Sequence, residues 1–360
     1  MNNKICFLAQ FAPPITGLSK AVETLYFSKK LANRKLYKIN TAKNYLFPWN
    51  LIRMIGLHAD LYYLTLSQSR AGNLRDLIFL MFITLSHNRV IVHLHGGNYR
   101  QLVDSKLPVW QKKLNYMLLG RVSSGIVLGP SLTFNFQGMI PDSKIYVVKN
   151  CVDDKYVLSD EEFIQKSNVQ NLKPIKHIVF LSNFIREKGY RYVLEMAKMA
   201  KIDSCSKTHF HFDFAGAFFS KKESDYFFNY IRDNGLDNIV TYHGVVEGER
   251  KKKLLANADA FVLLTSYPKE GQPISILEAQ ANGAVVIASD FSGIPDIIQD
   301  TRTGFLLNLD EGAIAHRAYR ILCDVNYSEI GRYARATVLK NHSEAKYITD
   351  MESVFTKNLD

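Results

Sequence analysis

Cysteine is scarce in this sequence, and no hydrophobic run is long enough to cross a bilayer. The 360 residues include 4 cysteines, too widely spaced for a Cys-x-x-Cys zinc pattern and too few for a disulfide scaffold. The most apolar stretch, residues 77–85, is much shorter than the roughly 18 residues of a membrane-spanning helix. The apolar run Ile5 to Ala9 is likewise too short for a standard secretion signal. We therefore expect a reduced, cytoplasmic protein with no transmembrane helix.

Acidic residues are scarce in the first half of the chain. Residues 1–150 hold 19 Lys and Arg against 5 Asp and Glu, a net charge of +14, whereas residues 151–360 hold 26 against 29, a net of −3. A basic half of this kind indicates an anionic partner, which could be nucleic acid, an acidic membrane surface or a phosphorylated small molecule. A surface that serves only solubility is the alternative.

Short β-rich runs alternate with helical patterns along the chain, which predicts parallel sheets covered by helices. A polar stretch, residues 153–176, interrupts the alternation, and we interpret it as a linker zone. The predicted fold class is α/β, with two Rossmann-like domains facing a central cleft. The expected division is an N-terminal domain at 1–160, a C-terminal domain at 170–340 and a final helix at 341–360. That helix either caps the second domain or crosses back to the first.

The predicted elements follow from apolar runs and helical spacing. Strands are expected at 5–9, 61–66, 90–94, 125–128, 145–148, 178–181, 210–215, 239–242, 260–264, 285–288 and 305–307. Helices are expected between them, among others at 18–34, 73–85, 108–119, 189–201 and 344–357.

The most informative segment is Glu270-Gly271-Gln272-Pro273-Ile274-Ser275-Ile276-Leu277-Glu278, in which seven residues separate two glutamates. Pro273 suits the first turn of a helix, whose free N–H groups and positive dipole end favour a phosphate. Gly271 permits a close backbone approach. Glu270 is placed to accept from hydroxyls beside the phosphate, and Glu278 to accept from a vicinal diol. Taken alone, the pattern also fits two surface glutamates flanking an amphipathic helix.

With its surroundings, this segment resembles the donor site of the retaining GT-B glycosyltransferases of family 4, the glycosyl transferases group 1. The resemblance extends over most of the chain through ordered matches. They are Pro13-Pro14-Ile15-Thr16-Gly17-Leu18-Ser19, His93-Leu94-His95-Gly96, Asn150-Cys151-Val152-Asp153, Arg186-Glu187-Lys188-Gly189 and Gly293-Ile294-Pro295-Asp296. The resemblance implies a retaining transfer of a sugar from a UDP- or GDP-sugar, or a similar nucleotide sugar, to a saccharide or lipid-linked acceptor. Such transfers build bacterial cell-surface polysaccharides, including O-antigen and capsule.

The resemblance also implies roles for individual residues. The catalytic set is His95 near the reacting sugar, Glu270, and Lys188 beside the leaving diphosphate, with His93 as a structural histidine. The family commonly has Gly-Arg where this chain has Ser182-Asn183, so Asn183 offers only neutral hydrogen bonds and Arg186 is the candidate substitute. The expected donor-binding residues are Gly17, Asn183, Arg186, Lys188, Gly271, Gln272, Pro273, Ile274 and Glu278. Without the resemblance, Gly17 and Lys188 would be ordinary turn residues and His95 a structural histidine.

The usual metal ligands are missing from this sequence. No two aspartates stand two residues apart, so no Asp-x-Asp pair is available for Mg²⁺ or Mn²⁺ on a nucleotide diphosphate. Lys188 and the helix N-termini would have to offset the diphosphate charge instead, in agreement with the metal independence that the resemblance implies. We expect no metal and no other cofactor.

The basic half carries Lys106, Lys112 and Lys113 beside Trp110 on one predicted helix. Aromatic and basic side chains together suit the headgroup layer of a membrane. Because many proteins of the resembled family act on lipid-linked acceptors, we expect this half to bind the acceptor at an anionic surface, the inner face of the cell membrane. A buried helix with solvated lysines is the alternative.

Two other functions remain open at the level of sequence. A nucleotide-sugar epimerase or a sugar phosphorylase shares the same two-domain plan. A non-enzymatic nucleic-acid-binding protein would also use a basic half. The sequence lacks a zinc-finger signature, an RNP signature and a dense lysine tract, so we expect no nucleic-acid partner.

Overall fold

The computed structural model describes residues 3–13, 16–203 and 208–359. Its strands are β1 (Lys4–Ala9), β2 (Lys35–Asn40), β3 (Leu61–Thr65), β4 (Arg89–Leu94), β5 (Ser124–Val127), β6 (Ile145–Val147), β7 (Ile175–Leu181), β8 (His209–Ala215), β9 (Val240–Tyr242), β10 (Ala260–Leu263), β11 (Val285–Ser289) and β12 (Phe305–Leu307). Its α-helices are α1 (Gly17–Tyr26), α2 (Phe47–Leu57), α3 (Arg70–Leu85), α4 (Tyr99–Gln101), α5 (Val109–Leu119), α6 (Asp160–Gln170), α7 (Tyr190–Ile202), α8 (Lys221–Asp233), α9 (Gly248–Asn257), α10 (Ile274–Ala281), α11 (Ile314–Asp324), α12 (Tyr327–Asn341) and α13 (Glu344–Lys357).

The chain divides into two compact units. Unit 1 comprises Met1–Cys151, Pro268–Gln272 and Glu344–Asp360, and unit 2 comprises Val152–Tyr267 and Pro273–Ser343. Within the described residues each unit holds a six-stranded sheet, in the order β2-β1-β3-β4-β5-β6 in unit 1 and β12-β11-β10-β7-β8-β9 in unit 2. The strand pairs are parallel, and helices follow the strands along the chain. The predicted α/β fold class is confirmed.

Unit 1 has an apolar core on each face of its sheet, because its central strands are buried on both sides. Along β1, Cys6 and Leu8 point into the core that α2, α3 and α5 cover. Ile5 and Phe7 point the opposite way, into the core that α1 and α13 cover. Helix α13 contributes four side chains at helical spacing to that core, namely Tyr347, Met351, Val354 and Phe355. The final helix therefore packs in unit 1.

Unit 2 is built around an aromatic core. The ring of Phe184, which follows β7, lies 5.5 Å from Phe180, 6.3 Å from Phe214 and 5.1 Å from Phe227, measured between ring centroids. The strand order reverses between β7 and β10, and in unit 1 it reverses between β1 and β3. In doubly wound sheets, ligands bind beyond the carboxyl ends of the strands at such a reversal. The loops that follow β7 and β10 are therefore the natural ligand site of unit 2.

Two elements of unit 1 differ from the sequence prediction. The helix expected at 18–34 ends at Tyr26, and the edge strand β2 follows it. Lys35 and Lys38 obscure the apolar alternation of β2, and charged side chains are common on edge strands, where they prevent pairing with other chains. Helix α2 was not predicted, because its outward side is also apolar and hides the helical period.

The expected linker zone, residues 153–176, contains helix α6 instead. Ser159 and Glu162 form a capping box, in which the Ser159 hydroxyl accepts from the Glu162 N–H and the Glu162 carboxylate accepts from the Ser159 N–H. The helix buries polar side chains rather than apolar ones. Lys166 donates to the carbonyls of Ala258 and Asn282 at 2.6 and 2.7 Å. Hydrophobic periodicity therefore could not reveal this helix.

Candidate functional site

In unit 2, the loops after β7 and β10 are joined at the carboxyl edge of the sheet. The Glu187 carbonyl accepts hydrogen bonds from the Ser266 N–H at 2.7 Å and the Thr265 hydroxyl at 3.2 Å. Gly189 adopts a left-handed conformation with φ of +82°, and a Cβ there would overlap the Leu264 carbonyl. Glycine is therefore required for the two loops to approach each other.

The predicted diphosphate-binding residues lie in the first of these loops. Lys188 is half-buried, and its ammonium lies 4.8 Å from the centre of the Tyr267 ring. Arg186 and Asn183 are exposed at the same edge. The loop thus brings a partly desolvated cation to the strand-order reversal, where it is suited to an anionic ligand.

Helix α10 carries the second glutamate of the sequence motif. It begins at Ile274 rather than at Pro273, because Pro273 has a φ of −63° but an extended ψ of 117° and occupies the N-cap position. The expectation that Pro273 belongs to the first helical turn is therefore wrong by one residue. Glu278, in the middle of the helix, is only 2% exposed.

A residue that sequence reasoning missed contacts Glu278. The ammonium of Lys251, on α9, lies 2.6 Å from Glu278 Oε1. Burial raises the pKa of Glu278, and the positive charge of Lys251 opposes that shift. In the sequence, Lys251 stands in the basic run of residues 250–253, which resembles an ordinary solvated helix face. Lys251 differs from an ordinary exposed lysine only in standing three positions before the buried Leu254, which places both on the same side of the helix.

In unit 1, two histidines lie together at the end of β4. The rings of His93 and His95 have centroids 3.9 Å apart, and His93 Nδ1 is 2.7 Å from the Tyr63 hydroxyl. Burial lowers the pKa of His95 to about 3, and burial together with the neighbouring His95 lowers that of His93. Both imidazoles are therefore neutral at physiological pH. Among the described residues no protein group pairs with His93 Nε2 or with either ring nitrogen of His95, although all three are buried.

The first part of the glutamate motif belongs to unit 1. A Cβ at Gly271 would overlap the His95 carbonyl, so the glycine permits a close approach to the turn that carries His95. Gln272 is anchored to Asn150, whose N–H donates to Gln272 Oε1 at 3.2 Å and whose side-chain amide donates to the Gln272 carbonyl at 2.9 Å. Glu270 directly precedes these two residues and is 7% exposed. Glu270 is therefore the residue before Gly271, whose backbone packs against the His95 carbonyl.

The loop after β1 leads directly into α1 at Gly17. The Thr16 hydroxyl accepts from the Ser19 N–H at 3.1 Å, and the Ser19 hydroxyl accepts from the Thr16 N–H at 2.8 Å, which forms a capping box. Gly17 is exposed at this helix start. Pro14 and Ile15 of the same motif lie outside the described residues.

The two helix layers of unit 1 differ in their outer surfaces. Helices α2, α3 and α5 form one layer, in which Phe47 packs on Phe79 and Asn73 hydrogen-bonds Asn115. The outside of this layer carries exposed large apolar side chains, namely Tyr45, Leu46, Trp49, Ile52, Ile55, Leu74, Phe82, Leu85, Val109, Trp110 and Met117. Exposed basic side chains, including Lys43, Arg53, Lys106 and Lys113, stand among them. We call this outer surface the basic apolar face.

Lys112, one of the predicted membrane residues, has an internal partner. Its ammonium lies 2.9 Å from Asp104 Oδ1, and Arg100 binds the same carboxylate. Burial tends to raise the pKa of Asp104, but these cations and the Tyr116 hydroxyl lower it overall. Lys112 therefore does not contribute an uncompensated charge to the basic apolar face, whereas Lys106 and Lys113 are exposed.

A cluster of histidines surrounds Asp213 in unit 2, on β7, on β8 and just after β9. His177 Nδ1 lies 2.8 Å from Asp213 Oδ2, and His243 Nε2 lies 2.7 Å from Asp213 Oδ1. His211 faces the same carboxylate at 4.0 Å. Burial acts to raise the pKa of Asp213, but the hydrogen bonds from His177 and His243 outweigh it and lower the pKa to about 2. The hydrogen bond to Asp213 is in turn the main cause of the raised pKa of His177.

No metal-binding geometry is present in residues 3–13, 16–203 and 208–359, where no three His, Cys, Asp or Glu side chains are arranged to hold an ion. Over the same described ranges, no helix combines the length and the apolar content that crossing a bilayer requires.

Part of the chain matches a protein-family model. Residues 160–336, which cover most of unit 2 and include Pro268–Gln272 of unit 1, match the model for glycosyl transferases group 1. The match supports the resemblance for the motifs that fall within these residues.

Curated relatives match over parts of the chain. A Klebsiella pneumoniae protein described as an uncharacterized 41.2 kDa protein in the cps region is 28% identical over 182 residues, which are 48% of this chain and 44% of that protein. The amylovoran biosynthesis glycosyltransferase AmsK of Erwinia amylovora is 38% identical over 80 residues, 21% of this chain and 20% of its own length. The matched part of this chain thus spans less than half the length of either relative.

Solved structures resemble the whole chain. The crystal structure of HepE from Anabaena in complex with UDP has a TM-score of 0.73 at 15% identity, covering 98% of this chain and all of that one. The sucrose-phosphate synthase of Thermosynechococcus elongatus has a TM-score of 0.71 at 14% identity and covers 99% of both chains. These similarities confirm the GT-B fold class.

Proposed function

We propose that the protein is a retaining glycosyltransferase. The premise is the match of residues 160–336 to the glycosyl transferases group 1 model. The protein transfers a sugar from a nucleotide-diphosphate sugar to a saccharide or lipid-linked acceptor during the synthesis of a cell-surface polysaccharide. The observation that carries this proposal is the position of Lys188 at the strand-order reversal of the matched unit. The names of the relatives support it, because AmsK is a polysaccharide-biosynthesis glycosyltransferase and HepE was crystallised with UDP.

Unit 2 binds the nucleotide in this proposal. Lys188 neutralises the diphosphate, with Arg186 as a second cation and Asn183 as a neutral hydrogen-bonding group. The N-terminus of α10, at Ile274, adds N–H groups with a positive dipole end. Glu278 accepts from the two ribose hydroxyls, since a carboxylate suits a vicinal diol.

Unit 1 contacts the transferred sugar and the acceptor. His95 and Glu270 lie near the sugar, and the neutral His95 ring offers one donor and one acceptor nitrogen. In the reaction the bond from the anomeric carbon to the diphosphate oxygen breaks, and a bond to the acceptor oxygen forms on the same face. The acceptor proton passes to the departing phosphate. Stabilisation of that diphosphate by Lys188 supplies much of the rate enhancement.

The basic apolar face of unit 1 docks on an anionic membrane surface in the same proposal. Trp49 and Trp110 are 61% and 56% exposed, and amphipathic aromatic side chains favour the headgroup layer. The net charge of +14 over residues 1–150 attracts anionic lipid. The protein thereby reaches a lipid-linked acceptor at the inner face of the cell membrane.

A donor screen tests the proposed activity. The purified protein is titrated with UDP-, GDP- and ADP-sugars in a thermal-shift assay, and sugars that stabilise it are tested for transfer to lipid-linked acceptors. One nucleotide class should raise the melting temperature and support transfer with retention at the anomeric carbon. The Lys188→Ala variant should lose about 100-fold or more in kcat/KM, as expected when a group that stabilises the leaving charge is removed.

The matched control is Lys198→Ala, an exposed lysine on α7 of the same unit, which should keep full activity. Unchanged turnover in Lys188→Ala at equal thermal stability would exclude the proposed donor site. Conversion of a nucleotide sugar to its epimer with no acceptor product would assign the protein to the epimerases instead.

A further inference from the structure

Lys251 lies outside every sequence motif, yet its ammonium donates to the Glu278 carboxylate at 2.6 Å. We propose that Lys251 is a positioning residue, which keeps Glu278 charged and correctly oriented to bind the ribose diol of the donor nucleotide. This inference rests on the proposed function, because it concerns the same donor site.

The contact is held from three elements of unit 2. Lys251 on α9 is bound by Glu278 on α10 at 2.6 Å, and its ammonium lies 4.3 Å from the centre of the Tyr156 ring. Tyr156 is itself fixed, since its carbonyl accepts from the Asn282 side-chain amide at 2.8 Å. The same amide reaches the Glu278 carbonyl at 2.8 Å. The ammonium therefore has little freedom to leave the carboxylate.

Two other charged groups near Glu278 act on its pKa in opposite directions. Asp153 lies close enough to act electrostatically on Glu278, and Lys155 opposes it. Lys155 is bound to Asp153 at 3.1 Å, and its ammonium also lies over the Tyr156 ring, 4.7 Å from its centre. Lys251 is thus the cation that contacts the buried carboxylate directly.

The arrangement leaves one carboxylate oxygen for a ligand. Lys251 occupies Oε1, and within the described residues no protein donor reaches Oε2. An ionised carboxylate accepts from both hydroxyls of a diol, whereas a protonated one donates through one oxygen and loses part of that capacity. Removing Lys251 would leave a buried carboxyl without its cation, and such groups take up a proton.

The test measures binding of nucleoside diphosphates to the full-length protein by calorimetry between pH 5.5 and pH 8.5. UDP, GDP and ADP are compared first, and the one that binds is then compared with its 2′-deoxy form. The variants are Lys251→Met, Lys251→Arg as the conservative change, and Lys253→Met as the control. Lys253 is an exposed lysine on the same helix.

The expected results separate positioning from structural damage. Lys251→Met should bind the diphosphate about 10-fold more weakly at pH 7, and its affinity should recover as the pH rises and Glu278 ionises. Because the loss concerns the diol, this variant should discriminate much less than the wild type against the 2′-deoxy form. Lys251→Arg should restore both the affinity and the discrimination, and Lys253→Met should match the wild type.

The two proposals fail in different ways. Wild-type protein that binds none of the diphosphates would overturn the proposed function together with the role of Lys251. If the wild type binds one, and Lys251→Met keeps its affinity, its pH dependence and its preference for the 2′-hydroxyl, only the role of Lys251 is overturned. The role of Lys251 is also overturned if Lys251→Met loses the same affinity for the ribose and deoxyribose forms at every pH. That result would indicate a purely structural role.

Discussion

Units 1 and 2 share one construction but differ in chemistry at the same structural position. Both are six-stranded parallel sheets whose strand order reverses near the centre. At the carboxyl edge, unit 1 presents the neutral pair His93 and His95, whereas unit 2 presents the cation Lys188 and the ion pair of Lys251 with Glu278. The strand order determines where a ligand binds, and the residues that follow the strands determine which ligand it is.

The outer surfaces of the two units also differ in charge and in apolar content. Unit 1 has a basic apolar face over α2, α3 and α5, while its other helix layer, α1 and α13, contributes no residue to the set of exposed large apolar side chains among the described residues. Unit 2 contains most of the nearly neutral half of the chain. In the proposed function, nucleotide chemistry belongs to unit 2, and sugar and membrane chemistry belong to unit 1. Each of the following variants tests one side of that assignment.

The largest effect is expected in unit 1 from Glu270→Gln. The amide keeps the shape of the side chain but loses the charge and one acceptor site, so kcat/KM should fall by about 100-fold or more. Steady-state kinetics with the donor from the screen measure this, and binding of the nucleotide alone should change little. The control is Glu249→Gln, at an exposed glutamate of α9. Strong loss of nucleotide binding in Glu270→Gln would contradict the division between the units.

The next effect concerns the loop that carries Lys188. Gly189→Ala should destabilise unit 2 by about 2–3 kcal/mol, because the left-handed backbone disfavours a side chain and the new Cβ overlaps the Leu264 carbonyl. Gly248→Ala is the matched control, with φ of +54° and no atom within 4 Å of the added Cβ. It should lose only about 1 kcal/mol. Denaturant unfolding gives both values, and equal losses would show that the overlap has no effect.

A smaller effect is expected on membrane binding. Trp49→Ser combined with Trp110→Ser should weaken binding to vesicles that contain phosphatidylglycerol by about 10-fold, since two interfacial aromatic side chains are lost. Nucleotide binding should stay at the wild-type value. Phe219→Ser removes an aromatic side chain of unit 2 that is 76% exposed, and it serves as the control. Vesicle flotation that is equal for all three proteins would remove the basic apolar face as a docking surface.

The smallest effect is expected at the histidine cluster of unit 2. Asp213 has a lowered pKa, so its stabilising contribution is present above its ordinary value of 3.8 and is lost as the pH falls toward about 2. His177 has a raised pKa, so its contribution is present below its ordinary value of 6.5 and fades as the pH rises through the folded value.

The Asp213→Asn variant should therefore lose about 1 kcal/mol at pH 5 to 6 and less at pH 8, a modest value because the histidines are partly exposed. Thermal unfolding across this pH range measures the difference. A loss that grows toward pH 8 would contradict the pairing of Asp213 with a protonated histidine.

Buried strands and strong helical spacing made much of the fold predictable from the sequence. Helix α13 was predicted with the bounds it has, since its apolar residues recur at helical spacing and face one core. Strand β2 was not predicted, because its lysines interrupt the apolar alternation. Helix α6 was not predicted, because the side chains on its buried side are polar. Periodicity reveals an element only when its buried side is apolar.

Some residues of the candidate site were also predictable from the sequence, and others were not. The glutamates and Lys188 stand in local motifs, which a reader of the sequence can find. Lys251 pairs with a residue 27 positions away, and the Asp213 cluster draws on three different strands or strand ends. Such partners are set by the register of distant elements, and composition and spacing contain no sign of them.

The position of α13 has a consequence for the order in which the protein is made. The side chains of Tyr347, Met351 and Phe355 close one face of the sheet in unit 1, whose strands are all synthesised before unit 2 begins. On the ribosome, the part of this face that α13 covers stays exposed until the whole of unit 2 has followed. The first unit to be synthesised is therefore the last to be completed.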